Sequence, residues 1–255
     1  MARLIDAITA TARATGEALF LLGAAVWELR LAPRHLTKIF AQMAEIGVAT
    51  LPMTSMLSLF IGGVLSLQTG FVLAKYGIQG TLGGIVGVSM AKELGPVMTA
   101  ILLTGRVGSA MAAEIGAMSV YQEIDALKTM NIQPVRFLVM PRVLATLIVL
   151  PVLVVYSDVV GWIGGGLVAA VNHRISTPFH QFLRNLTDTV DFEDVTNGLI
   201  KAAVFAVIIS VTCCYVGLRT AGGPREVGQS VTKAVVASII LILIFDYVVT
   251  RVLFI

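Results

Sequence analysis

The chain has 255 residues, 57% of them hydrophobic and only 13% charged, with a mean hydropathy of +0.91. Soluble globular domains carry about twice that share of charge, so the composition is that of a polytopic helical membrane protein. A formal charge of +3 spread over scattered basic residues argues against nucleic acid as a partner, and the absence of G-x-x-x-x-G-K-[ST] means that the chain cannot cradle nucleotide phosphates in the P-loop manner.

Residues 1 to about 30 set Leu4, Ile5, Ile8, Ala12, Leu19 and Leu22 at helical spacing. That predicts an amphipathic helix lying in the membrane interface or packed on the other helices, followed by a basic stretch with Arg30, Arg34, His35 and Lys38. No short basic segment precedes the apolar run from Leu19 to Val26, so a cleaved signal is not expected. The first span is predicted over Gly47 to Leu73, which is uncharged and has Gly62, Gly63 and Ser66 for close helix approach. A second apolar segment, Thr81 to Met118, is too long for one straight span. Pro96 is expected to kink it, and Gly80, Gly83, Gly84 and Gly87 to give it an irregular or re-entrant start.

From Ser119 to Met130 the pattern changes to Ile124, Leu127 and Met130 among Gln122, Glu123, Asp125 and Lys128, a short amphipathic helix between two spans. The third span is predicted over Val143 to Val171. Asn172 to Asp194 reads as a polar loop, with a short helix after Pro178 and with Asp188, Asp191, Glu193 and Asp194. The fourth span, Val195 to Leu218, contains the adjacent Cys213 and Cys214, which are expected to pack rather than bridge or bind metal. A loop from Arg219 to Ser230 leads to the fifth span, Val231 to Phe254. Arg30, Arg34, Lys38, Lys128, Arg136, Arg142, Arg219 and Arg225 then fall on one side and the acidic 188–194 loop on the other. The positive-inside rule accordingly predicts a cytoplasmic N-terminus and a C-terminus outside. The expected fold class is an all-α membrane protein: an N-terminal interfacial helix plus five transmembrane helices, with a cytoplasmic helix between the second and third spans.

Depth can be read from sequence at ~1.5 Å per helical residue. Lys92, Glu93, Lys201 and Asp246 come out at one level, in the outer-leaflet half. Ionisable groups there are costly and mark function or paired structure. A polar pocket, with Lys201 and Asp246 or Lys92 and Glu93 neutralising one another, would meet an amphiphile's headgroup while apolar walls meet its tails; salt bridges that fix helix register are the alternative. Arg106 and Glu114, two turns apart on one face, are expected to bond to other helices as structural charges.

The run KELGPVMTAILLTGRVGSAMAAEIGAM, followed by VYQEIDAL and PVRFLVMPRVLA, resembles the signature of the MlaE permease family. These are membrane subunits of ABC transporters that move lipids between bacterial membranes. The resemblance covers nearly the whole chain and implies a single permease domain over 1–255, with an N-terminal interfacial or cytoplasmic helix in 1–40 and a transmembrane bundle in 47–255. It implies a phospholipid permease of the bacterial inner membrane, with an outward-facing lipid cavity at a homodimer interface. The implied partners are a second copy of the chain, a cytoplasmic ABC ATPase dimer that binds ATP and Mg, a periplasmic MCE-domain hexamer and, in many members, a STAS-domain protein. The chain itself would need no cofactor.

The family's charged cavity positions fall on Lys92, Glu93, Lys201 and Asp246, and its ATPase-docking helix on Val120 to Leu127, with Tyr121, Gln122, Glu123, Ile124, Asp125 and Leu127 as contacts. Where Thr-Glu-Gln is expected before Ile-Asp-Ala-Leu, this chain has Tyr121, Gln122 and Glu123, which shifts the acidic contact by one position. Two other functions compete. An ion- or proton-coupled secondary carrier of an amphiphile would use the same carboxylates. A lipid enzyme would need partners for His173 and His180, and the sequence offers no triad or metal spacing around them.

Overall fold

The computed structural model describes residues 16–25, 27, 28 and 36–253. Among them no strand occurs. The helices are α1 (Gly16–Ala25), α2 (Leu36–Val48), α3 (Leu51–Tyr76), α4 (Leu82–Ser89), α5 (Gly95–Leu103), α6 (Ser109–Val120), α7 (Glu123–Thr129), α8 (Met140–Val171), α9 (Phe179–Thr189), α10 (Phe192–Leu218) and α11 (Pro224–Leu253). Five helical runs are long and apolar enough to cross a membrane: Leu36–Tyr76, Gln79–Val120, Val135–Val171, Phe192–Leu218 and Pro224–Leu253.

The chain forms two compact units. Unit 1 comprises 1–46, 104–147 and 206–241. Its core sets Leu21 and Ala25 of α1 against Ile115, Ile124, Leu138, Val139, Val143, Val211 and Cys214. The polar groups of the N-terminal segment are paired as well: Glu17 with Arg219, and Glu28 with Arg136 at 2.7 Å. Leu19, Phe20 and Trp27 are exposed on the other side. The predicted N-terminal helix thus packs on neighbouring helices where it is described; residues 1–15, with Arg30, Arg34 and His35, lie outside the described residues. Cys213 and Cys214 are free and buried.

Unit 2 comprises 47–103, 148–205 and 242–255. Here α3 and α8 meet backbone to backbone. A Cβ on Gly62 would collide with the Gly161 carbonyl, and one on Gly164 with that of Leu59. Small residues permit such an approach, which is how helices associate where no hydrophobic driving force separates them from lipid. Polar links follow from it, with Ser58 and Ser157 sharing a hydrogen bond of 2.7 Å, and Ser55 and Tyr156 one of 2.6 Å.

Several expectations are corrected. The glycines at 83, 84 and 87 do not loosen the chain; after a single 3-10 turn they lie in α4, where they admit α9. A Cβ on Gly83 would strike the Phe182 carbonyl, and the Gly84 amide donates to Asn185 Oδ1 at 2.6 Å. The amphipathic α9, which follows Pro178 as expected, buries Phe182 and Leu186. The helical run continues through Pro96, preceded by a π turn over Met90–Leu94 in which the Gly95 amide bonds to the Met90 carbonyl; a proline and a π turn are both places where a helix bends. Further π turns lie at Thr104–Gly108 and Val135–Val139. The last begins the third run at Val135 rather than Val143. The predicted 219–230 loop is short, because Pro224, whose lacking N–H is harmless in a first turn, starts α11. Helix also begins before the expected first span, at Leu36.

Gly62→Val is expected to destabilise the protein by about 1–3 kcal/mol through backbone overpacking. Gly228→Ala, in α11 with nothing within 4 Å of the added methyl, is expected to leave stability unchanged or raise it by up to ~1 kcal/mol. Thermal unfolding of the detergent-purified variants compares the two.

Candidate functional site

Three elements of unit 2 supply the charged cluster. The π turn of Met90–Leu94 carries Lys92 and Glu93. Helix α10 presents Asp194, Gly198 and Lys201 at spacings of four and three, which put them on one helical face. A Cβ on Gly198 would collide with the Ala91 carbonyl. Glycine at that point therefore lets the α10 backbone reach the π turn, with an acid on one side of the contact and a lysine on the other. Helix α11 adds Asp246 and, one turn on, Thr250.

Of the two expected pairs, Lys201 with Asp246 is present and Lys92 with Glu93 is not. Lys92 Nζ lies 2.7 Å from Asp194 Oδ1, and Lys201 Nζ lies 2.6 Å from Glu93 Oε2 and 3.1 Å from Asp246 Oδ1. Thr250 Oγ1 donates to Glu93 Oε1 at 3.3 Å. The Lys201 side chain is 1% exposed, against 41% for Glu93 and 22% for Asp246. A sealed ammonium of this kind is tolerable only with carboxylates beside it. The two acids thus hold the lysine in place while turning part of their own surface outward.

Asp194, Gly198 and Thr250 are absent from the sequence-based site. Their signal was the four-and-three spacing along α10 and the one-turn step from Asp246 to Thr250. Asp158 was missed too, although it is the lone charged residue between Val143 and Val171. It is 3% exposed, and its Oδ1 lies where a Cβ on Gly95 would stand.

The other predicted residues lie in unit 1. Glu114 pairs with Arg142 of α8 at 2.7 Å. Arg106, on the π turn of Thr104–Gly108, lines a cavity of about 210 Å³ with Gln42, Glu45 and Glu114. Tyr121 and Gln122 form a turn between α6 and α7, Gln122 adopting the left-handed conformation at φ 59°. Ile124 is buried in the unit 1 core and Leu127 packs against it, whereas Glu123 and Asp125 face outward. Asp125 pairs with Lys128 at 2.8 Å, both well exposed.

Span-length helices that hold paired ions among apolar neighbours are found in membrane transporters, where such ions mark substrate or ion paths. The comparisons give the same class. A protein of Rickettsia typhi named a probable ABC transporter permease is 39% identical over 222 residues, 87% of this chain and 85% of its own. Another probable ABC transporter permease, from Synechocystis, is 37% identical over 213 residues, 84% and 80% of the two chains. The intermembrane phospholipid transport system permease protein MlaE of Haemophilus influenzae is 33% identical over 243 residues, 95% and 92%. The family description Permease MlaE matches residues 39–252. The chain belongs to the MlaE permease family, and these three relatives are named as transporter permeases.

Lys201→Met leaves Glu93 and Asp246 as like charges without their shared cation. The expected loss is on the order of 2–3 kcal/mol, below the full cost of an orphaned buried charge because Glu93 is partly solvated. Adding Glu93→Gln and Asp246→Asn should recover most of it, as read by thermal unfolding; equal stability of the single and triple variants would show that the cluster is not electrostatically coupled.

Proposed function

We propose that this chain is the membrane subunit of an ABC transporter that moves phospholipid between the inner and outer membranes. The observation that carries the reading is the cluster of Lys92, Glu93, Lys201, Asp194 and Asp246, charges of span-length helical runs held together by ion pairs. Leu243, Ile244, Tyr247 and Val248, exposed within a turn of Asp246, would lie along acyl chains while the acids meet the headgroup. The name of the Haemophilus influenzae relative supports the same substrate. In this reading the chain acts as a single permease domain and pairs with a second copy, so that the cluster opens on an outward-facing cavity at the dimer interface. The N-terminus is cytoplasmic and the C-terminus periplasmic. An MCE-domain hexamer receives or delivers lipid on the periplasmic side, and a STAS-domain protein completes the complex in some members.

ATP and Mg belong to a separate cytoplasmic ATPase dimer, and α7 is the coupling helix that meets it. The design of α7 suits that role. Ile124 ties the helix to the unit 1 core while Glu123 and Asp125 remain available to a partner. A load on those acids would pass through packed side chains rather than a loose loop.

Asp125→Lys is expected to abolish ATP-driven phospholipid transfer in proteoliposomes of the purified complex and to leave folding intact, since the exposed Asp125–Lys128 pair adds little to stability. Normal transfer by a well-expressed variant would remove α7 from the coupling path. Purification of the chain without an ATPase, together with uptake driven by an ion gradient, would replace the whole reading by that of a secondary carrier.

A further inference from the structure

The charges of the cluster are unequally accessible, and the difference bears on which headgroup the site takes. Lys201 is fully buried, and its ammonium already meets two carboxylates. Lys92 is matched by Asp194 at 2.7 Å. Summed over Lys92, Glu93, Asp194, Lys201 and Asp246, the formal charge is two positive and three negative, a net of one negative. Side-chain exposure is 41% for Glu93, 24% for Lys92 and 22% for Asp246; Lys92 is already matched by Asp194, which leaves the surplus accessible charge on the acids.

Hydrogen-bond capacity points the same way. Each carboxylate can accept about four hydrogen bonds, and an ammonium can donate three. Glu93 accepts from Thr250, and both Glu93 and Asp246 lie in ion-pair contact with Lys201. Acceptor capacity therefore remains on both acids, at the exposed edge of the cluster. A phosphate oxygen brought there would add an acceptor and a negative charge to a place that already has both in excess.

Resting on the phospholipid reading above, we infer that Glu93 and Asp246 receive the primary ammonium of a zwitterionic phospholipid, so that the site prefers phosphatidylethanolamine. An ethanolamine headgroup brings a positive charge and three N–H donors, and so matches the surplus in both respects. Choline brings the charge without donors and ranks second. Phosphatidylglycerol offers two hydroxyl donors but no positive charge, and its net negative charge ranks it last.

The test is competitive. The purified permease, with whatever subunits accompany it, is equilibrated with nanodiscs containing equal parts of phosphatidylethanolamine, phosphatidylcholine and phosphatidylglycerol, then re-extracted in mild detergent, and its bound lipid is quantified by mass spectrometry. The wild type is expected to retain ethanolamine lipid over glycerol lipid by about three- to tenfold, the yield of one partly solvated charge-assisted hydrogen bond. Glu93→Gln or Asp246→Asn, monitored for folding by thermal unfolding, should bring the ratio toward one. Equal retention of the three lipids by the wild type, or enrichment of phosphatidylglycerol, overturns the headgroup assignment and leaves the phospholipid reading standing. Retention of no phospholipid overturns both. The wild-type competition needs no variant, so it decides even if the substitutions prevent folding.

Discussion

A lysine ammonium with no contact with solvent can exist only where opposite charge is fixed beside it, and Lys201 sets that requirement for unit 2. The segments that answer it are far apart in sequence: Glu93 comes from the second span-length run and Asp246 from the fifth. Each must bring its carboxylate within hydrogen-bonding distance of one nitrogen, which fixes both the rotation and the axial register of its helix. Lys92 and Asp194 repeat the arrangement a short way along α10. Apolar helices in lipid gain no register from hydrophobic burial, because the hydrocarbon around them is as apolar as their own side chains, so these ion pairs act beside small-residue packing and interhelical hydrogen bonds in choosing it.

Glycine makes those ion pairs reachable. The contact of Gly198 with the Ala91 carbonyl draws α10 against the π turn, so that Lys92 meets Asp194 and Glu93 meets Lys201 across a short gap. The π turns contribute in a second way. Each of the three carries a basic residue, Lys92, Arg106 or Arg136, and Lys92 and Arg136 are ion-paired to acids on other segments. A widened turn redirects its side chains relative to an α-helix, and such turns are frequent at functional sites.

The sequence makes the broad plan readable because the bilayer imposes it: long uncharged runs locate the spans, and an ionisable residue within such a run marks itself. Lys92, Glu93, Lys201 and Asp246 are visible by depth alone. Who pairs with whom is not, because adjacent residues such as Lys92 and Glu93 point in different directions and one-dimensional depth carries no azimuth. Asp194 was hidden by its neighbours, since Asp188, Asp191 and Glu193 give the whole stretch the look of a solvated loop. Gly83, Gly84 and Gly87 misled for a related reason. Glycine signals either a loose backbone or a close contact, and only the presence of α9 decides between them.

The π turn at Met90–Leu94 holds one residue more than α-helical geometry requires, as the bond from the Gly95 amide to the Met90 carbonyl attests. Loss of a residue from a packed helix ordinarily rotates everything beyond it by about 100° and ruins the packing. Here a deletion could be absorbed on the spot, by tightening the widened turn to a regular one while α4 and α5 keep their facings. The helix contains its own length tolerance, confined to the point where the charged cluster is mounted. Chain length could therefore vary at this position without disturbing the surrounding bundle, and what would change is the direction in which the two charges face.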